Sequence, residues 1–218
     1  MLAIIQARML SKRLKGKMLK KISHLTVLEH VINQVSSAKF IDNVVVATSK
    51  HKSDNKICKI CKINNIKFYR GDQSNVASRF LKILSKNRFK SFVRISGDSP
   101  LIDPKLIDSF ITKFKKEKPD ILTNIFPRSF PKGQSIEIIK TKIFTKNFKF
   151  FKEGHTEHVT NYFYENNKKF NILNITSKKN FSKVRMCVDT LKDFKKIKKM
   201  LIFKNHEVPS WKVGLKHL

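Results

Sequence analysis

IIQARMLSKRLKGKML, from Ile4 to Leu19, is an apolar run that stops at Ala7 and is followed by five cations, Arg8, Lys12, Arg13, Lys15 and Lys17, with no acid among them. Two explanations compete: a phosphate-binding loop at the end of a first strand, or a fragment of a generally cationic background. They make different demands on the rest of the chain. A phosphate loop needs a sheet to support it and a carboxylate arriving at the same end, whereas background charge needs neither.

The background is real. The formal net charge is +31, and of 47 basic residues eight are Arg, leaving 39 Lys spread over most segments. Lys, Ile, Asn and Phe are abundant while Gly and Pro number six each, the usage an A/T-rich coding sequence produces. A dedicated nucleic-acid binder concentrates Arg and aromatics on one face, so no specific nucleic-acid partner is expected. The Arg residues carry more information, because a guanidinium is a fixed, forked donor. Arg8 and Arg13 lie in the opening stretch, and Arg70, Arg79, Arg94, Arg128 and Arg185 fall beside strand ends or turns. Only Arg88 stands in an unremarkable connection. That distribution favours anion recognition at defined points.

With 218 residues, 40% of them hydrophobic and 18 of them Phe, the chain can bury one substantial core. One domain spanning 1–218 is expected, not disorder. The apolar runs are too short to span a bilayer, and Met1–Ala7 has no basic flank before it or cleavage site after it. Three Cys without an even-numbered framework suit a reducing compartment. The expectation is a cytoplasmic protein with no membrane partner.

Strand-like and helix-like runs alternate. Leu2–Ala7, Asn43–Thr48, Ile66–Arg70 and Ser91–Ser96 read as strands. Between them, Thr26–Ala38 places Leu28, Val31, Ile32 and Val35 on one helical face, a second helix follows with Ser53 in capping position, and Ser74–Asn87 turns Val76, Phe80, Leu81 and Leu84 inward. Asp103-Pro104 is a cap and first position for a helix reaching Glu117. Asp120–Asn124 and Ser135–Lys140 flank a turn-rich excursion with two Pro and one Gly. Helical patterns at Glu157–Asn166 and Leu191–Phe203 frame two further strands, KFNILNIT and KVRMCVD. The β-α-β-α order predicts a three-layer α/β/α sandwich with a mainly parallel, mixed sheet of Rossmann-like type.

In such a sheet the ligand crevice lies beyond the carboxyl ends of the strands. The loop Arg8–Lys17 and the turn Gly97-Asp98-Ser99-Pro100 both arrive there, one with cations and one with a carboxylate. That combination suits a metal-bound polyphosphate, since Mg²⁺ takes one or two carboxylates plus phosphate oxygens at about 2.1 Å. Two roles stand open for Asp98, metal ligand or turn residue before Ser-Pro. Asp189, which also follows an apolar run, is either a second ligand or the N-cap of the last helix.

At this point the motifs match a known family. IIQARMLSKRLKGKML resembles the nucleotide-binding signature A-R-x-G-S-x-R-x-P-G-K of sugar nucleotidyltransferases, and RGDQSNVASRF, RISGDSPLIDP, EHVTNYFY and RMCVDTLKDF follow in the family's order. Together they resemble the spore-coat polysaccharide cytidylyltransferase-like proteins, relatives of the CMP-ketodeoxyoctonate and CMP-sialate synthetases. The resemblance implies a homodimeric nucleotidyltransferase that activates an acidic sugar or sugar phosphate with a nucleoside triphosphate, CTP first among them, and releases pyrophosphate. Carried onto this chain, Arg8, Arg13 and Lys17 bind the nucleotide with Ala7 and Gly97. Asp98, Lys17 and Arg8 form the catalytic group, and Asp98 and Asp189 hold Mg²⁺. The chain departs from the pattern at Leu10, where the family has Gly, at Lys12 and Lys15, where it has a small hydroxyl residue and Pro, and at Asn75, where an acid is common. Leu10 is the feature that favours the alternative of a catalytically weak homologue kept for binding or assembly.

Weaker constellations remain. Cys58 and Cys61 have CxxC spacing, which reads as zinc ligation or as packing of one helix face. His155 and His158 read as an i, i+3 metal pair or as structural residues. Arg128, Glu137 and His158 are candidates for the sugar side, with Arg128 equally open to a solvated turn role, and Arg79 and Arg185 are candidates for internal ion pairs.

Scattered Lys without a nucleic-acid motif gives a counterion-release effect and nothing else. Binding to duplex DNA should therefore collapse between about 50 and 200 mM salt and show no sequence preference. Competition titrations at both salt concentrations check this, and a salt-resistant, sequence-selective complex would overturn it.

Overall fold

The computed structural model describes residues 1–11, 13–86, 88–203 and 208–216, with Ile202 and Phe203 described by their backbone alone. Strand β1 (Leu2–Gln6) is an interior strand of the sheet. Leu2 and Ile4 point into one apolar layer and Ala3 and Ile5 into the other, all of them fully buried. A strand buried on both faces needs helices on both sides.

They follow in chain order. After the two-residue strands β2 (Lys21–Ile22) and β3 (Leu25–Thr26), which pair as a small hairpin, come α1 (Val27–Ser36), β4 (Asn43–Ser49), α2 (Asn55–Ile63), β5 (Lys67–Gly71), α3 (Val76–Ser85), β6 (Ser91–Ser96) and α4 (Pro104–Glu117). Next are β7 (Ile121–Thr123), β8 (Glu137–Lys140), α5 (Thr141–Asn147), α6 (Glu153–Glu157), α7 (Asn161–Glu165), β9 (Ile172–Asn174), α8 (Leu191–Phe203) and α9 (Trp211–Leu215). The sheet order is β5-β4-β1-β6-β8-β7-β9, with β8 antiparallel to both its neighbours and the other pairings parallel. The apolar faces of α1, α2, α4 and α8 share one layer and those of α3, α5 and α7 the other. This is the expected three-layer sandwich.

Local signals hold where they are strong. Thr26 and Glu29 form a capping box on α1, whose Leu28, Val31, Ile32 and Val35 are all buried. Asp103 caps α4, accepting from Lys105 N at 2.8 Å and Leu106 N at 3.3 Å.

In α3, Leu81 packs half-buried against the core as expected, Ile83 is buried as well, and the expected end at Asn87 lies outside the described residues. Three other expectations are corrected. The pattern over Glu157–Asn166 splits into α6 and α7, because consecutive Val159 and Thr160 both turn inward and His158 leaves helical dihedrals. KVRMCVD is no strand. Its backbone makes a single bridge, Arg185 to Lys132, and then crosses the sheet's carboxyl end, with Met186 N donating to Lys132 O at 2.7 Å and Val188 N to Asp98 O at 2.8 Å. Ser53 does not cap α2; the preceding turn is closed by the His51 ring, and Asp54 turns inward instead.

Asp54 is the residue that fixes the loop after β1. Its side chain is buried, Oδ1 accepts Met9 N at 2.8 Å, and Oδ2 accepts Thr48 Oγ1 at 3.0 Å, Ser49 N at 3.0 Å and the Ser49 hydroxyl. One carboxylate thus ties the start of the cationic loop to the end of β4. Replacing an acceptor oxygen with an NH₂ leaves a buried clash of donors, so Asp54→Asn should cost about 1–3 kcal/mol. Urea unfolding of the two proteins measures it, and an unchanged midpoint would show that the carboxylate does not anchor the loop.

Candidate active site

The loop from Ala7 to Lys17 forms one wall of a cleft of about 990 Å³ at the carboxyl ends of the strands. Three of its backbone amides hold it in place: Ala7 N donates to Ala47 O at 3.1 Å, Met9 N to Asp54, and Lys17 N to Leu14 O at 3.3 Å. Arg8, Arg13 and Lys17 bring charged side chains to the same cleft. Leu10 is accommodated by the loop's geometry. It has no positive φ, its side chain is half-exposed to the cleft, and the left-handed position of the loop falls on Gly16, at φ 66°.

Gly16 starts a single 3₁₀ turn, Lys17–Leu19, that carries the Lys17 side chain inward. Only 7% of Lys17 is exposed, and a buried ammonium is costly unless carboxylates surround it. Two do. Nζ lies 2.6 Å from Asp98 Oδ2 and 3.4 Å from Asp189 Oδ1.

Asp98 arrives on β6, oriented by Ser96 Oγ, which donates to its Oδ1 at 2.7 Å. Gly97 precedes it for a steric reason. A Cβ there would stand 2.9 Å from Gln6 O and 3.0 Å from Ala7 Cβ, and its N–H donates to Gln6 O at 2.9 Å. Ala7 and Gly97, expected beside the nucleotide, thus set the approach of β1 and β6; Ala7 also lines the cleft.

Asp189 arrives on the crossing segment. It is not the cap of α8: Thr190 is, with Asp193 N donating to Thr190 Oγ1 at 3.2 Å and Thr190 N to Asp193 Oδ2 at 2.8 Å. That leaves the Asp189 carboxylate to face the cations. Its Oδ2 meets Arg13 Nη2 at 2.8 Å and Arg185 Nη2 at 2.7 Å, and Arg185 also reaches Asp193 at 3.1 Å. Arg8 pairs with Glu157 across the cleft at 2.6 Å. Four predicted residues from three separate segments, Arg13, Lys17, Asp98 and Asp189, therefore converge, and Arg8 lines the same cleft.

The sugar-side candidates do not share one place. His158 lines the cleft beside Glu157. Glu137 is fully buried, paired with Arg94 and accepting the Tyr164 hydroxyl at 2.6 Å. Arg94 in turn donates from Nε to Gln6 Oε1 at 2.9 Å. Arg128 is half-buried and not a solvated turn residue; Nη2 donates to Ser135 Oγ at 3.0 Å while Nη1 is buried with no hydrogen-bond partner among the described residues. Burial pushes its guanidinium below the ordinary value, against the opposing charge of Glu137.

His155 turns away from His158 and bonds Glu165 at 2.7 Å. Cys58 and Cys61 face inward from α2, and burial pushes the Cys61 thiol up to about 12. Arg185 forms the expected ion pairs, whereas Arg79 is held by the carbonyls of Asp72 and Gln73 at 2.6 and 2.7 Å. Among the described residues no three His, Cys, Asp or Glu converge on one point. Lys12 lies outside the described residues.

The family described as cytidylyltransferase matches residues 2–208. The chain is similar to the spore coat polysaccharide biosynthesis protein SpsF of Bacillus subtilis, 27% identical over 205 residues, which cover 90% of this chain and 84% of that protein. It is 31% identical over 123 residues to the 3-deoxy-manno-octulosonate cytidylyltransferase of Solibacter usitatus, over 56% of this chain and 47% of that one. A solved structure of a cytidylyltransferase from Leptospira borgpetersenii superposes with a TM-score of 0.93 at 30% identity, covering 98% of this chain and 91% of that chain.

Asp193 offers a pH test of this wall. Burial raises its carboxyl, but hydrogen bonds from the Thr190 amide and hydroxyl and the charge of Arg185 outweigh burial and hold it below the usual range. A depressed folded-state pKa contributes stability that is complete above the ordinary carboxylate value of about 3.9 and is lost as pH falls through the folded value. Asp193→Asn should therefore lower stability at neutral pH by about 0.5–2 kcal/mol, the range for a lost cap, and narrow its deficit below about pH 4. Unfolding midpoints at both pH values decide it, and a deficit that does not shrink in acid would reject the assignment.

Proposed function

We propose, from the premise that this chain belongs to the cytidylyltransferase family, that it transfers the cytidylyl group of CTP to an acidic sugar or sugar phosphate for surface polysaccharide or glycan synthesis. The observation that carries the proposal is the convergence of Arg13 and Lys17 with Asp98 and Asp189 in the cleft that Arg8 also lines. In the reaction an acceptor oxygen attacks the α-phosphorus, the bond from that phosphorus to the bridging oxygen breaks, and pyrophosphate leaves. Attack on a polyanion requires its charge to be spread and its groups held in line, so positioning and electrostatics carry the rate. Arg8 and Arg13 supply forked donors and Lys17 a point charge to the phosphate oxygens.

The donor set also fits Mg²⁺. Two carboxylates already share one small cation, the Lys17 ammonium, and two carboxylates with phosphate oxygens and water are the ligands Mg²⁺ prefers. Asp98 and Asp189 would hold it, and when bound it would neutralise charge on the transferred phosphate. For the acceptor, His158 lines the cleft, and Arg128, outside its lining, has a guanidinium nitrogen without a hydrogen-bond partner among the described residues. Among the described residues no helix is long and apolar enough to cross a membrane. A cytoplasmic homodimer, as the family resemblance implies, belongs to the same proposal, and gel filtration tests its stoichiometry.

A pyrophosphate-release assay with the four triphosphates, Mg²⁺ and a panel of acidic sugars and sugar phosphates tests the reaction. Release with CTP and an acidic acceptor is expected, and release with none of the combinations would reject it. The cations should act unequally. Arg8→Gln, Arg13→Gln and Lys17→Gln should each remove a charge-assisted contact of about 1.5–3 kcal/mol, or roughly ten- to a hundredfold in triphosphate affinity. Lys15→Gln, at an exposed position, should matter little. Asp98→Asn should spare most triphosphate binding and abolish turnover. Equal, small losses at all the cations would mean that the cluster is background charge.

A further inference from the structure

Among the described residues every carboxylate of the site is paired with a cation before any ligand arrives. Among the described residues Lys17, Arg13 and Arg185 are paired with Asp98, Asp189 and Asp193, three cations against three carboxylates, and the Arg8–Glu157 pair is closed in the same way. A divalent cation approaching alone meets carboxylates already occupied by ammonium and guanidinium groups. A triphosphate approaching alone meets Lys17, Arg13 and Arg8 already occupied by carboxylates. Each ligand frees the groups that the other needs.

We infer that Lys17 is an internal counter-ion standing in the divalent-cation position, so that metal and triphosphate bind with strong mutual dependence and Lys17 changes partners from Asp98 and Asp189 to phosphate as both enter. The inference rests on the triphosphate reading of the site. Magnitudes single out Lys17 among the paired cations. The Arg13 side chain is 68% exposed and those of Arg8 and Glu157 are 41% and 51% exposed, so solvent and salt weaken those pairs. The Lys17 side chain is 8% exposed, and its contact to Asp98 is 2.6 Å. At that burial a charge contact is screened far less. The coupling is reciprocal by necessity: whatever factor the triphosphate adds to metal affinity, the metal adds to triphosphate affinity.

The test uses Mn²⁺, whose free form is counted by its electron paramagnetic resonance signal, titrated into the whole chain without nucleotide. Lys17→Met keeps the length of the side chain and removes its charge. It should bind Mn²⁺ about tenfold or more tighter than the unaltered protein, as expected when a poorly screened competing cation is removed, and Lys17→Met/Asp98→Asn should lose that gain. Arg13→Gln, at an exposed position, should gain little. If Lys17→Met binds Mn²⁺ no tighter, or if the gain survives in the double variant, the inference is overturned. Asp98→Asn provides an arm independent of the folding of Lys17→Met. With a chelator present and no divalent ion, it should bind CTP several-fold tighter than the unaltered protein, because Lys17 is released; equal or weaker binding overturns the inference. CTP binding to the unaltered protein with Mn²⁺ separates the two levels. Its absence would reject the triphosphate reading itself, whereas its presence without the Mn²⁺ gain would reject the counter-ion role alone.

Discussion

A buried ammonium must keep its counter-charges close, and much of the site's construction follows from where Lys17 has been put. Gly16 takes the left-handed turn that carries it inward, and Gly97 lets β6 press against β1 so that Asp98 comes within 2.6 Å. The crossing segment is pinned to the Asp98 carbonyl through Val188, which delivers Asp189 from the opposite side. Thr190 takes over the capping of α8 and leaves Asp189 for the cations. Loop, strand and crossing segment are far apart in the chain, and a single charge requires all three.

What was legible in the residues follows a physical division between local and distant partners. Asp103-Pro104, the apolar face of α1 and the run Ser91–Ser96 are local signals, set by a cap, a period of 3.6 and a buried strand, and the structure matches them. For the site, the residues alone gave a cationic loop and the Asp98 turn at the same end of the sheet, and the family resemblance then picked out Arg13 and Lys17 within that loop. Asp54 and Arg94 were not legible in that way. Asp54 is buried and Arg94 half-buried, and each has a remote partner, 45 residues away at Met9 and 88 residues away at Gln6. KVRMCVD alternates like a strand, but its hydrogen bonds go to Lys132 and Asp98 at the rim of the sheet. Alternation reports burial on one side of an extended chain, not the presence of a ladder.

Net charge also proves a poor guide to local field. Among the described residues a chain of formal charge +31 has assembled, at its site, carboxylates in equal number to the cations they touch. Much of the excess is carried by exposed Lys such as Lys52 and Lys56, where water and salt screen it. The conspicuous charge of the sequence and the charge relevant to a phosphate are therefore different populations of residues. Arg marks the second population better than Lys does, as the placement of Arg8, Arg13 and Arg185 shows.

The anchoring of the loop at Ala7, Met9 and Lys17 has an evolutionary consequence. The charged groups that the loop brings to the cleft are side chains on a scaffold secured at these points, so each is open to replacement by a single codon change without rebuilding the turn. Leu10 in place of Gly is then a change such a loop can absorb. Lineages of this fold are free to drift in the sequence of the loop, and to retune it for anions of different charge, while its backbone stays where β4 holds it.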